Sequence, residues 1–123
     1  MTSEEILHSQ LVTNTGISGI VANRVWPDAS PKKATLPCIV YARISTEFVR
    51  TIHTSAPVAE KVYFEIHCFA DKRSEAEELA GVVYNELGSS DFQIVSQTSE
   101  KITDLDEDVE LSILGLEYWH SFN

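Results

Sequence analysis

Residues 60–69 read Glu-Lys-Val-Tyr-Phe-Glu-Ile-His-Cys-Phe, and this alternation constrains the fold more than any other stretch. Successive side chains of a strand point to opposite faces. Val62, Phe64, Ile66 and Cys68 therefore share one face, and Tyr63, Glu65 and His67 share the other. The first set is apolar and the second mixed, the pattern of a sheet covered mainly on one side. Cys38–Ser45 is a second β-branched and aromatic strand. Phe92–Ser96 and Val109–Phe122 read as two more. Within the last, Val109, Leu111 and Ile113 lie in one register and Leu114, Leu116 and Tyr118 in the other. A bulge near Gly115 would account for that switch.

Helical signals frame these strands. Ser3–Val12 reads as a short amphipathic helix, with Ser3 as its cap, Glu4 and Glu5 at the positive end of its dipole, and Ile6, Leu7 and Leu11 as its stripe. Asn14-Thr15-Gly16 stops it. Ile17, Ile20, Val21 and Val25-Trp26 then form a short apolar stretch ending at Pro27. Ser74-Glu75-Ala76-Glu77 is a capping box, followed at helical spacing by Ala76, Leu79, Ala80, Val83 and Leu87 and closed by Gly88. The expected fold is α+β: a single domain over residues 1–123, with a largely antiparallel sheet and two helices packed on one face.

Two segments are long for connections in a chain of 123 residues. Pro27–Pro37 holds three prolines together with Lys32 and Lys33. Thr46–Ala59 reads as a projecting arm or a long hairpin tip carrying Phe48, Val49, Arg50 and Ile52. These residues form either a satellite core or an apolar patch awaiting a partner.

Lys plus Arg is 9 against 19 for Asp plus Glu, a formal net charge of −10. That balance argues against gripping nucleic-acid phosphates, which takes Lys and Arg. The acidity concentrates in Glu100, Asp104, Asp106, Glu107, Asp108 and Glu110. Three readings stand for this run: a solvated turn, a subunit-interface or channel-lining surface, or a divalent-cation site. The glycine of an EF-hand loop is missing. His8, His53, His67 and His120 fall in no metal-ligand spacing, and no nucleotide-binding or nucleophile-elbow motif occurs. No catalytic, cofactor or metal residues are assigned. Cys38 and Cys68 sit in apolar strands and read as reduced, buried thiols; a disulfide needs neighbouring strands in matching register. Neither a secretory start nor a bilayer-long apolar run occurs, so a cytoplasmic origin is expected.

The order of several short motifs resembles one family. These are Thr15-Gly16-Ile17 with Asn23-Arg24-Val25-Trp26-Pro27, then Leu36-Pro37-Cys38-Ile39-Val40-Tyr41, then Val62 to Ala70, the Ala76–Leu87 helix, the acidic turn Leu105-Asp106-Glu107-Asp108, and Leu116-Glu117-Tyr118-Trp119-His120. Together they resemble the tail-completion (tail terminator, tail-to-head joining) proteins of long-tailed bacteriophages and prophages. Two positions depart from the pattern: Leu105 stands where relatives often carry an aromatic, and Glu110 where they often carry basic residues. The resemblance implies a non-enzymatic virion subunit, assembled in the host cytoplasm into a ring, commonly hexameric. Such a ring caps the tail tube and joins it to the head connector, with DNA passing through unbound. Phe48, Val49, Arg50, Ile52, Lys32 and Lys33 are then the expected contact residues. Asp104, Asp106, Glu107, Asp108 and Glu110 are the expected acidic surface or channel wall. The alternatives are another head–tail connector or tail-tube component, or a small-molecule-binding α+β domain.

Overall fold

The structure is a computed structural model that describes residues 2–28, 35–50, 56–87, 92–103 and 108–121. The elements run α1 (Ser3–Thr13), α2 (Thr15–Val21), β1 (Val25–Pro27), β2 (Cys38–Val49), β3 (Ala59–Ala70), α3 (Arg73–Leu87), β4 (Phe92–Thr103) and β5 (Asp108–Ser121). The strands make one five-stranded sheet in the order β1-β2-β3-β5-β4. Only the β1–β2 pair is parallel. The expected α+β class, with its largely antiparallel sheet, is the observed one.

Local chemistry explains where the helices start. Thr2 caps α1: its hydroxyl accepts the Glu5 amide at 3.2 Å, and the Glu5 carboxylate accepts the Thr2 amide at 3.4 Å. Ser3 is therefore not the cap. It lies one position inside the helix, buried, and its hydroxyl is used elsewhere. Asn14 ends α1 and also begins α2. Its amide donates to the Gln10 carbonyl, while its side-chain oxygen accepts from the amides of Gly16 and Ile17 at 2.9 and 3.2 Å. A residue expected only to stop a helix thus starts a third one. That helix carries Ile17 and Val21 into the core. The long helix α3 opens at Arg73, so Ser74 falls within its first turn; Arg73 Nε meets Glu77 Oε1 at 3.1 Å across one turn. Gly88 lies outside the described residues.

The helices cover one face of the sheet. Ile39 and Tyr41 of β2, Val62, Phe64, Ile66 and Cys68 of β3, and Leu114, Leu116 and Tyr118 of β5 point into a core with Leu7, Leu11, Ile17, Val21, Leu79, Val83 and Leu87. Phe92 anchors it, stacked on Tyr118 at 4.5 Å and edge-on to Phe64 at 6.4 Å. The β3 alternation of residues 60–69 is observed in full.

The register of β5 runs unbroken against β3 from Glu110 to Ser121. The two apolar sets of β5 are therefore not a phase switch. Leu114, Leu116 and Tyr118 face the helices, and Leu111 and Ile113 face the other side. The irregularity lies across from Gly115, in β4 between Ile94 and Ser96, and a second one breaks β2 between Arg43 and Ser45. Gly115 is required by close approach. Tyr63 reaches over it toward Ser96, their hydroxyls 3.5 Å apart, and a Cβ at residue 115 would run into both oxygens.

Candidate assembly surface

Three regions of the structure offer a surface to a partner: the far end of the β2–β3 hairpin, the helix-free face of the sheet, and the sheet edges. At the hairpin end, β2 continues to Val49 and β3 begins at Ala59, so Thr46–Val49 and Ala59 of the expected arm are strand, while residues 51–55 lie outside the described residues. Phe48 pairs with Glu60 and Val49 with Ala59. Phe48 is 53% exposed, Val49 is half-buried and Arg50 is exposed. Phe48 is thus an apolar side chain in solvent, not part of a satellite core. Ile52, Lys32, Lys33, Asp104, Asp106 and Glu107 lie outside the described residues. Asp108 opens β5, and Glu110 is half-buried in a small cleft with Arg73, Ser99 and Glu100. Glu100 and Glu110 of the acidic run therefore share their cleft with a cation.

A polar node ties α1 to this end of the sheet. Glu60 is buried on the helix-covered face. Its Oε1 accepts the Ser3 hydroxyl at 3.0 Å and lies 3.4 Å from His120 Nδ1 and 3.7 Å from the Arg43 guanidinium. Arg43 also pairs with Glu4 and stands 6.0 Å from the Phe64 ring centroid. A buried carboxylate persists only with such partners, because its desolvation is otherwise several kcal/mol uncompensated. The node fixes α1 over the strands that carry Phe48. Sequence reasoning gives Ser3 only a capping role and His120 no metal spacing, and singles out neither Arg43 nor Glu60. The signal was present, however: each strand member of this group sits in the apolar phase of its strand, Glu60 with Val62 and Phe64, His120 with Leu116 and Tyr118, and Arg43 with Ile39 and Tyr41.

The helix-free face carries Cys38 and Val40 of β2, Phe69 and His67 of β3, and Leu111 and Ile113 of β5. Across its rows, Val40 pairs with His67 and His67 with Ile113, while Cys38 pairs with Phe69 and Phe69 with Leu111. His67 is held at 3.2 Å by Glu65, its neighbour on the same face. Farther along, Trp119 is 55% exposed with Lys61 Nζ 5.7 Å from its ring centroid, and Lys61 pairs with Glu117 at 3.3 Å. Cys38 and Cys68 lie on adjacent strands but opposite faces, and both are free. Burial pushes the Cys38 thiol up to about 11, against a smaller opposing pull from Arg24, and the Cys68 thiol up to about 12. Neither is a nucleophile at neutral pH.

Beside β1, an open groove of about 600 Å³ runs between α1 and the strand ends, lined by Glu4, Glu5, His8, Ser9, Val12, Pro27 and Tyr41. His8 Nδ1 lies 2.9 Å from the Tyr41 hydroxyl. Burial first, then the charges of Asp28 and Glu4, raises the Tyr41 phenol, so it stays protonated at neutral pH. The groove is open, and its polar side chains are largely engaged: His8 with Tyr41, Glu4 with Arg43 and Glu5 with Thr2. Among the described residues, no group of His, Cys, Asp and Glu side chains is arranged to hold a metal ion, and no helix is long and apolar enough to cross a membrane.

No curated protein matches the chain. A family model does, that of the tail completion protein gp17, and it spans residues 5–114, from the first turn of α1 to the middle of β5. Over that span lie most of α1, α2, β1, the β2 and β3 strands, α3, β4 and the first half of β5, so the chain belongs to the tail completion protein gp17 family of phage tail components.

Proposed function

We propose that this protein is a structural subunit that assembles into a closed ring, commonly hexameric in such proteins, caps the finished tail tube and joins it to the head connector. The family match carries this reading. The structure supports it with a rigid sheet clothed by helices on one side only, and with Phe48 and Trp119 held in solvent. Side chains of this kind are commonly covered when a partner docks. The hairpin end with Phe48, Val49, Arg50 and Ile52, and Lys32 and Lys33 of the preceding loop, supply contacts to neighbouring subunits, the tail-tube protein and the head connector. Asp104, Asp106, Glu107, Asp108 and Glu110 form an acidic surface that DNA phosphates do not adhere to, so the genome passes without being bound. The role is mechanical and calls for no cofactor.

The test is direct. Purified protein is added to tail tubes that lack a terminator and examined by negative stain. The proposal expects a density capping one end of each tube and loss of further tube growth. Tubes left bare at a large molar excess of protein would refute it.

A further inference from the structure

We propose that the outer edges of β2 and β4 are the two halves of one docking surface, and that its occupant is a second copy of this chain. This rests on the ring reading and says how the ring is held. Beyond Tyr41, β2 has lost its outer neighbour. β1 ends at Pro27, the Asp28 amide makes a last hydrogen bond to the Tyr41 carbonyl at 2.8 Å, and from Ala42 to Val49 the only strand paired with β2 is β3. At the opposite side of the sheet, β4 pairs only with β5. Among the described residues, the sheet thus has two open edges.

Natural sheets protect such edges with charges or proline, because a free ladder of N–H and C=O groups invites another strand. Gln93–Ser99 carries no charged residue and no proline. Over Ala42–Val49 the charges are Arg43 and Glu47, which cancel. In a chain of net charge −10, both open edges are neutral, so two copies can meet there without like-charge repulsion. A second observation points the same way. The exposed large apolar side chains of the described residues are Ile44, Phe48, Tyr84, Val95 and Trp119, and Ile44, Phe48 and Val95 all lie on these two strands. Ile44 and Val95 sit at the two irregularities, where the strands bend.

Strand directions decide the kind of symmetry. β2 is antiparallel to β3, β3 to β5 and β5 to β4, so β2 and β4 run in opposite directions. When a neighbour is placed in the same orientation, its β4 meets β2 as an antiparallel partner, the more stable ladder. The contact joins two different surfaces, and a contact of that kind builds a ring where the rotation between neighbours closes, rather than an isologous pair. Every helix layer then stays on the same side of the extended sheet.

Hydrogen exchange read by mass spectrometry, at low and high protein concentration with the mass followed by light scattering, tests this. The expected result is a rise in mass together with slowing of about tenfold or more in amides of both 42–49 and 93–99. A rise in mass with neither segment slowed overturns the edge contact and leaves the ring reading standing. A rise with only one segment slowed means symmetric pairing of like edges, and also overturns it. A mass fixed at that of the 13.7 kDa monomer, at every concentration, overturns the edge contact and counts against the ring reading as well.

Discussion

The two faces of the sheet are built from the same strands and differ in how completely they are covered. On the helix side, Phe64, Ile66, Cys68, Leu114 and Leu116 are all fully buried, and the polar intruders Glu60 and Ser3 are bonded to each other. On the other side, Cys38, Val40 and Leu111 are buried too, but Phe69, His67 and Ile113 are only half-buried and Trp119 stands in solvent. Stability is concentrated on the first face. The second holds apolar surface that a lone subunit does not finish covering. A chain selected only to stay folded and monomeric has no reason to keep such a surface.

The difference is sharpened most by truncating one phenylalanine on each face. Phe64→Ala empties the centre of the core and should cost about 3–5 kcal/mol. Phe69→Ala on the open face should cost only about 1 kcal/mol in the isolated subunit. Urea unfolding of the two variants measures both, and equal losses would break the comparison. Next in size is the polar node. Glu60→Ala leaves the Ser3 hydroxyl and the Arg43 guanidinium without their shared acceptor, and about 2 kcal/mol of stability should be lost. Glu60→Gln, which keeps an acceptor oxygen for Ser3, should recover part of it in the same denaturation assay. Gly115→Val comes third. Its side chain displaces Tyr63 from above the strand, and a cost of about 1–2 kcal/mol is expected, with the tyrosine signal in near-ultraviolet circular dichroism altered.

The smallest effect compares the two thiols. Both are raised above the ordinary value of 9.0 in the folded protein, Cys38 to about 11 and Cys68 to about 12. Each therefore stabilises the fold fully below pH 9, where it is neutral in both states. The contribution falls as the unfolded thiol ionises, until the folded one ionises too, near pH 11 for Cys38 and near pH 12 for Cys68. At pH 9.5 the loss should be about 1 kcal/mol for each thiol. Replacing either by Ala should flatten the alkaline slope of stability, and the Cys68 variant should keep it flat to higher pH.

The sequence made one face readable and left the other ambiguous, for a physical reason. Strict alternation in β3 reports directly on a dry side, so the core strands and the fold class could be read. The same alternation holds in β5, but apolar residues on both faces made it look like a change of register. Asn14 was read as a stop because capping a new helix depends on where the next amides turn, which a side-chain pattern does not encode. The arm was legible as Phe48 and Val49 but not as strand, since a hairpin's length depends on pairing with residues far along the chain. Glu60, His120 and Arg43 were visible as polar residues in apolar phases. Only the packing of α1 shows what they share, because Ser3 arrives from the other end of the sequence.

The central claim is that this subunit exists to be joined to copies of itself. Its mass in solution, followed by light scattering from dilute to concentrated protein, tests that most directly. The account predicts growth from 13.7 kDa to one closed multiple of that mass, with no larger species beyond it. A mass of 13.7 kDa at every concentration, with and without tail tubes present, would contradict it.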